Sequence, residues 1–441
     1  MKHLHINLFL VIFSLAIFSC NNAASSQKAN SNLAAATGIE NNGMLYKGII
    51  MSDASLLMCG FGKKSNSEEK DALLVKTNKN GIVWSKFMGT EGIEECFNFV
   101  TTNIKGNILA LGYQKQENNN TLLINLLDND GKVKWSTASI NCNGMENPQG
   151  VILSDESIMI AARNAHPDPS NTNSINILKL DASGNLVWSK QIESVIGVVK
   201  MIYSNNTVKL VCKQKGVFLD YSLNEKYHNF PYFTLTEEGE VFSSANLLTP
   251  KSPNSAAEMF DAYETNMGDI VLGGYTFNDL SPNRALSLLC FDLNGVKKWA
   301  KRFDFPQESM AKSIDFDGVN NLLVWGDGYG KGEMFYFTKI DLKDGNAVSA
   351  SSLKTANTKQ VRSIVSKGDD YWLCWDNTNQ FAWSASDKNG SLAVAQTNEN
   401  PKVVDIQCRR KESNYKTIPA DFKLNTLAIN STDANLSSKK L

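Results

Sequence analysis

Apolar runs too short for helices, each bounded by polar turn residues, follow one another along most of this chain, and seven times a glycine in a polar turn separates two of them. These glycines are Gly81, Gly131, Gly184, Gly239, Gly295, Gly345 and Gly390, set in segments such as TNKNGIVW, DNDGKVKW and DASGNLVW and spaced by 50, 53, 55, 56, 50 and 45 residues. One unit shows the grammar. Phe97 to Thr102, Asn107 to Tyr113, Thr121 to Leu127 and Lys132 to Thr137 read as four successive strands, with Asp128-Asn129-Asp130-Gly131 turning the third into the fourth. Glycine suits that turn because a tight hairpin needs a backbone with positive φ. No segment has the spacing and length of an amphipathic helix, so the pattern predicts an all-β chain.

A repeat of about 50 residues built from four strands predicts a β-propeller of seven four-stranded blades. An eighth, incomplete unit is the alternative, because Val403–Cys408 supplies one more strand that would otherwise close the ring on the first blade. Although 441 residues would ordinarily suggest two or three domains, the repeat argues for one ring, since a single blade cannot bury both its faces. The division that follows is a signal segment at 1–19, a flexible tether at 20–43, the propeller at 44–410 and a polar, poorly ordered tail at 411–441.

The beginning of the chain changes the picture most. Met1-Lys2-His3 precedes an apolar run from Ile6 to Phe18, shorter than the ~20 residues of a membrane span, which ends at Ser19-Cys20. Ile17-Phe18-Ser19-Cys20 resembles the lipobox of bacterial lipoproteins, which implies that Cys20 is acylated and becomes the mature N-terminus. By the same resemblance, Asn21 after the cysteine, and no acidic residue before Glu40, imply the outer membrane with the body in the periplasm, the cell surface being the alternative. The repeats LVKTNKNGIVWSKFMG and ILKLDASGNLVWSKQI, with strands ending in GYQ or GGYT, resemble the propeller repeats of secreted and lipid-anchored Bacteroidetes proteins and, more distantly, the pyrroloquinoline-quinone-type repeat. Trp84, Trp135, Trp188 and Trp299 are then expected to pack one blade on the next, with Phe242, Val348 and Val394 taking the same place in units four, six and seven.

Candidate chemistry is sparse. A net charge of −1 offers no basic field for nucleic acid. Cys59, Cys212 and Cys374 recur at one place in the second strand and read as small core residues rather than a disulfide framework. No metal site is predicted: Asp128-Asn129-Asp130-Gly131 echoes a calcium loop but has Thr137 where the glutamate belongs. The two histidines beyond the signal segment, His166 and His228, read as loop residues with no nucleophile beside them. Two binding candidates remain. Glu94, Glu146, Glu193, Glu258 and Glu308 recur where the chain begins the first strand of a unit and would ring one mouth of a central channel, unless each braces a loop backbone. Aromatic residues crowd unit seven, where Trp375 and Trp383 would stack on a ligand or pack between blades.

The expectation is a lipoprotein without catalysis or cofactor, acting as scaffold or binding module for an envelope or outer-membrane protein complex. A glycan- or ligand-binding surface lipoprotein is the second reading and a carboxylate-dependent propeller enzyme the third.

Overall fold

The computed structural model describes residues 33–37, residues 43–385 apart from short interruptions, and seven short strands within 396–440, with side chains described for 43–350. The described residues contain strands and turns but no helix. The predicted unit is present as Glu94–Thr102, Ile108–Gln116, Asn119–Leu127 and Val133–Asn143, paired antiparallel in chain order. The same four-stranded meander recurs from Met44–Ile50 to Gly81–Gly89 in unit one and from Glu308–Phe316 to Ala347–Lys354 in unit six. First strands of successive units lie side by side, and that of unit seven, Thr358–Lys367, returns to that of unit one. The chain is a β-propeller.

Burial explains the hydrophobic pattern. Second and third strands are covered on both faces, so Leu56–Lys63 and Lys70–Asn78 read as continuous apolar runs, whereas the fourth strand Leu186–Glu193 is mostly half-exposed. Each core belongs to two sheets. Cys59, Leu74 and Met88 of unit one pack with Phe97, Ala110 and Leu123 of unit two, and Met159, Ile177 and Ile192 of unit three with Val208, Leu210 and Phe233 of unit four. At roughly 25 cal/mol per Å² of apolar surface, this shared burial joins the units into a ring. Cys59, Cys96, Cys142, Cys212 and Cys290 are free and buried, and burial pushes the Cys59 and Cys142 thiols up to about 12, which makes them inert core residues. Cys374 and Cys408 lie outside the described side chains.

The turn glycines have a second task besides positive φ. Gly131, Gly184, Gly239 and Gly345 have φ of 77°, 87°, 75° and 72°, and a Cβ at any of them would press into Trp84, Trp135, Trp188 or Trp299 of the preceding unit. Trp84, Trp135 and Trp299 also donate their Nε1–H to the carbonyls of Asn129, Ala182 and Leu342 in those turns, at 3.2, 2.9 and 2.9 Å. The predicted blade-to-blade role of the tryptophans therefore has a defined partner. Phe242 and Val348 do not replace them. A register shift in each fourth strand makes Ser243 and Ser349 the residues opposite Thr234 and Lys339, as Trp84 is opposite Lys76, while Phe242 and Val348 are bulge residues exposed to solvent. Val394 and Gly390 lie outside the described residues.

Both chain termini differ from expectation. Leu33–Thr37, within the expected tether, pairs with Gln380–Ala385 and serves as the fourth strand of unit seven. Lys402–Asp405, the supposed beginning of an eighth unit, adds a fifth strand to unit five beside Lys297–Asp304, so it neither starts a blade nor joins the first one. It belongs to a series. Gln396–Asn398, Lys402–Asp405, Arg409–Glu412, Ile418–Pro419, Leu424–Thr426 and Asn430–Asp433 pair with the outer strands of units six, five, four, three, two and one, and Ser437–Lys440 ends on Leu33–Thr37. The segment past 411 is thus a sequence of edge strands rather than an unpaired tail. Its polarity follows from its place, since an outermost strand needs backbone pairing but covers little core. His228 also moves from loop to strand, in Glu225–Leu235, while His166 lies outside the described residues.

A further glycine set faces inward. Gly60, Gly112, Gly274 and Gly326 of the second strands pass directly under the carbonyls of Met44, Cys96, Glu258 and Met310 in the first strands, where a Cβ would overlap backbone. Gly112→Ala should therefore lower unfolding stability by about 3 kcal/mol in urea titration. Gly92→Ala, at φ 81° with nothing near its would-be Cβ, should cost only about 1 kcal/mol. Equal losses would show that the close approach is not what selects glycine.

Candidate functional site: the central cavity

A propeller places its first strands around the axis, and here they enclose a cavity of about 1180 Å³ lined by units one to six among the described residues. The first strands of every unit but the third share an irregularity. Pairing with the second strand skips one residue between Leu45 and Lys47, Phe97 and Phe99, Val198 and Lys200, Met259 and Asp261, Ala311 and Ser313, and Val361 and Ser363. A β-bulge adds an unpaired residue and re-aims its neighbours. The glycines under the preceding carbonyls make room for it. At this level the wall carries Tyr46 and Lys47, Asn98 and Phe99, Lys200, Phe260 and Asp261, and Lys312 and Ser313.

Charge within this layer is unbalanced. Lys200 and Asp261 form an ion pair at 2.8 Å, and the Asp261 carboxylate also accepts from the backbone N–H groups of Ala262 and Ile314 at 2.9 and 3.0 Å and from Ser313 Oγ at 3.3 Å. Burial alone would raise the Asp261 carboxyl, but Lys200 and Lys47 hold it below the usual carboxylate range. The Lys47 ammonium stands 4.3 Å from the Phe99 ring centre, and Lys312 and Lys213 stand 4.2 and 4.9 Å from that of Phe260. Burial, and then repulsion from Lys200, brings Lys47 down to about 8 despite the attraction of Asp261. Three ammonium groups thus share the layer with one carboxylate.

The glutamates singled out by spacing are not brought together here. Glu94 pairs with Lys115 at 3.3 Å, Glu146 with Arg163, and Glu258 with Lys213 at 2.8 Å, each to a base on the neighbouring strand of its own or the preceding sheet, and none lines the cavity. Glu308 begins a first strand opposite Tyr329, but Glu193 ends the fourth strand of unit three and so does not share the position. Trp375 and Trp383 lie opposite Ala382 and Cys374 in the sheet of unit seven, and their side chains are outside the described residues. The aspartates of the glycine turns are braces: Asp128 Oδ1 accepts from the N–H groups of Asp130 and Lys132 at 3.0 and 2.9 Å, and Asp181 does the same for Ser183 and Asn185 at 2.9 Å. No cluster of metal-ligating residues occurs among the described residues. Lys47, Lys200, Asp261 and Lys312 escaped the sequence reading, though a charge inside the apolar first strands MLYKGII, GVVKMIY, AAEMFDAYE and ESMAKSIDF was the available signal.

No family model matches the chain, and no curated protein does. Solved structures with a similar course include a protein of unknown function from Dyadobacter fermentans, at 10% identity over 80% of this chain and 97% of that one with a TM-score of 0.44. The WD40 domain of SCAP from fission yeast is similar at 9% identity over 81% of this chain and 95% of that one, with a TM-score of 0.40. An acylaminoacyl peptidase from Pyrococcus horikoshii is similar at 10% identity over 79% of this chain and 53% of its own, with a TM-score of 0.32.

One buried carboxyl lies beside the cavity wall rather than in it. Glu95 is fully buried, accepts from Thr90 N at 3.0 Å and Gln114 Nε2 at 3.5 Å, and leaves Oε2 without a donor. Burial, reinforced by Asp71, raises it to about 7 from the usual 4.5. The folded state therefore binds this proton more tightly than the unfolded chain, so its stabilising effect is complete below 4.5 and disappears as pH rises through about 7. Thermal unfolding should show a loss of about 3 kcal/mol over that window, and Glu95→Gln should flatten the profile and raise stability at pH 8. A wild-type profile unchanged by the substitution would assign the pH dependence elsewhere.

Proposed function

We propose that the protein is an outer-membrane lipoprotein anchored through Cys20, a non-catalytic propeller that holds a protein partner of an envelope complex on its long-loop face in the periplasm. The polarity of the closing strand carries this reading. Leu33 lies opposite Ser384, at the end of unit seven where the other units make their glycine turns, so the chain running back toward Cys20 leaves from the glycine-turn face. The 13 positions from Cys20 to Leu33 reach about 45 Å when extended, and a tether of that length turns the glycine-turn face to the membrane. The face toward the bilayer has matching character: Ile104, Met267 and Val319 stand exposed at the tips of its first-to-second-strand turns. The connections left facing outward are the long ones, where surface variety concentrates. Cys20 and the apolar run before it lie outside the described residues.

Cys20→Ala should move the protein out of the membrane fraction or leave it as unprocessed precursor, whereas mature protein still membrane-bound without an acyl label would rule out the anchor. A photo-crosslinker at exposed Glu91, on the long-loop face, should capture a partner protein, and one at exposed Asp130 in a glycine turn should not. Capture from Asp130 alone would reverse the orientation.

A further inference from the structure

Exposed apolar side chains collect at one end of the ring. Nine large ones stand exposed among the described residues, and all but Met145 lie at the glycine-turn end. Scattered exposed apolar residues are ordinary, but these follow the repeat. The pairing of third with fourth strand skips one residue just after each glycine turn, and in units one, three, four and six that residue is Val83, Val187, Phe242 or Val348, 49% to 78% exposed. In units two and five the same place holds Lys134 and Lys298, which donate to Asn107 and Asp269 at 2.7 Å each. There the first-to-second-strand turn supplies Ile104 or Met267 instead, 94% and 73% exposed. Each of units one to six therefore puts at least one uncovered apolar side chain at this end. The C-terminal edge strands do not reach the four bulge residues: they begin pairing at Lys86, Lys190, Ala245 and Ser351, three residues past each bulge.

We propose that this fringe seats the disc on a zwitterionic lipid surface, its apolar side chains entering the headgroup region while the turns between them stay hydrated. The choice of occupant rests on the anchor reading above: Leu33, where the tether joins unit seven, lies at this same end, so the bilayer that holds Cys20 is the surface within reach. The turns set the lipid charge. DNDGK, DASGN, TEEGE and DLKDGN carry more carboxylates than ammonium groups, so this end does not attract anionic lipid, and the contact is apolar and indifferent to salt. A few valine, isoleucine and phenylalanine tips bury less than an acyl chain does, so the fringe alone binds weakly, on the order of millimolar lipid, and washes off a membrane once the anchor is removed. It fixes the orientation of a disc that the acyl chains already hold there.

Two measurements test it. In the acylated protein reconstituted into phosphatidylcholine vesicles, a fluorescent amino acid in place of Phe242 should be quenched by brominated acyl chains, and one in place of Met145 should not. The chain from residue 20 onward, made without acyl groups and retaining every described strand, should float with phosphatidylcholine vesicles at about 10 mM lipid, equally at low and high salt and less when phosphatidylglycerol is added. Ile104→Ser combined with Phe242→Ser should reduce the floated fraction at least about threefold with thermal unfolding unchanged, because both side chains stand in solvent, whereas Met145→Ser should leave it as it was. Flotation without acylation does not involve the lipid on Cys20, so failure of the anchor and failure of the seat are read separately. No flotation would overturn the proposal and leave the fringe to a protein partner. Flotation that phosphatidylglycerol strengthens and salt abolishes, a double variant that floats like the wild type, or quenching at Phe242 no greater than at Met145 would overturn it as well.

Discussion

The ring is organised by one contact: an indole from the fourth strand of one unit laid on the glycine of the next unit's last turn. The contact demands two things of a single residue. The turn requires a left-handed backbone, and the tryptophan requires that nothing project from it, so glycine satisfies a conformational and a packing constraint together. Three of the indoles add a hydrogen bond to a turn carbonyl, which fixes the angle at which the next sheet stands. Once that angle repeats, the two-faced second and third strands fall against each other and the shared cores form. Unit four has serine at this place, and its contact with unit five rests instead on the shared core of Val211, Phe230 and Leu247 with Met259, Leu272 and Leu289.

A second repeated constraint works nearer the axis. In units one, two, five and six the first strand gains a residue where it bulges, and the second-strand glycine beneath lets the preceding carbonyl come close enough for pairing to resume. The bulge costs ladder hydrogen bonds that a regular strand would keep, and it occurs at one level in unit after unit. Its consequence is geometric: it directs a fresh pair of side chains from each bulged unit among the described side chains at the centre of the ring. The glycines of the second strands are therefore part of the cavity's construction, although none of them lines it.

What the sequence disclosed, and what it hid, follows from these two constraints. Turn glycines and tryptophans recur at fixed spacing and were legible as a propeller, as were the strands around Gly131, because each must be that residue wherever a unit meets the next. The bulges were not legible, since an inserted residue in a short apolar run leaves no gap that composition or alternation reveals. Misplacing Phe242 and Val348 on the tryptophan position came from their apolar character: counted from the turn glycine, Trp135, Trp188 and Trp299 stand four residues on, where units four and six carry Ser243 and Ser349. The outer strands between Gln396 and Lys440 were hidden for another reason. They pair with one neighbour through the backbone and bury little, so they carry the polar composition of an unpaired segment. The glutamates misled because spacing along the chain was taken for position around the axis. Glu193 ends a fourth strand, and Glu94, Glu146 and Glu258 are satisfied by Lys115, Arg163 and Lys213 on adjacent strands.

The contrast between what repeats and what varies separates architecture from chemistry in this molecule. Residues that build the ring are nearly the same from unit to unit: glycine in the turn, an aspartate or threonine bracing it, apolar second and third strands and, in four units, glycine under the bulge. At the bulge the residues differ from one bulged unit to the next, from Tyr46 and Lys47 through Asn98 and Phe99 to Phe260 and Asp261 and Lys312 and Ser313. A ring selected only to stand as a rigid disc would fill its axis with the same small or apolar side chains it uses elsewhere, because charged groups there weaken it. Instead the bulge level of the axis holds Lys47, Lys200 and Lys312, the saturated Asp261 and the aromatic faces of Phe99 and Phe260. Local departures from the rules that stabilise a fold are expected where a protein engages something else, and in this chain the axial layer is where the departures collect.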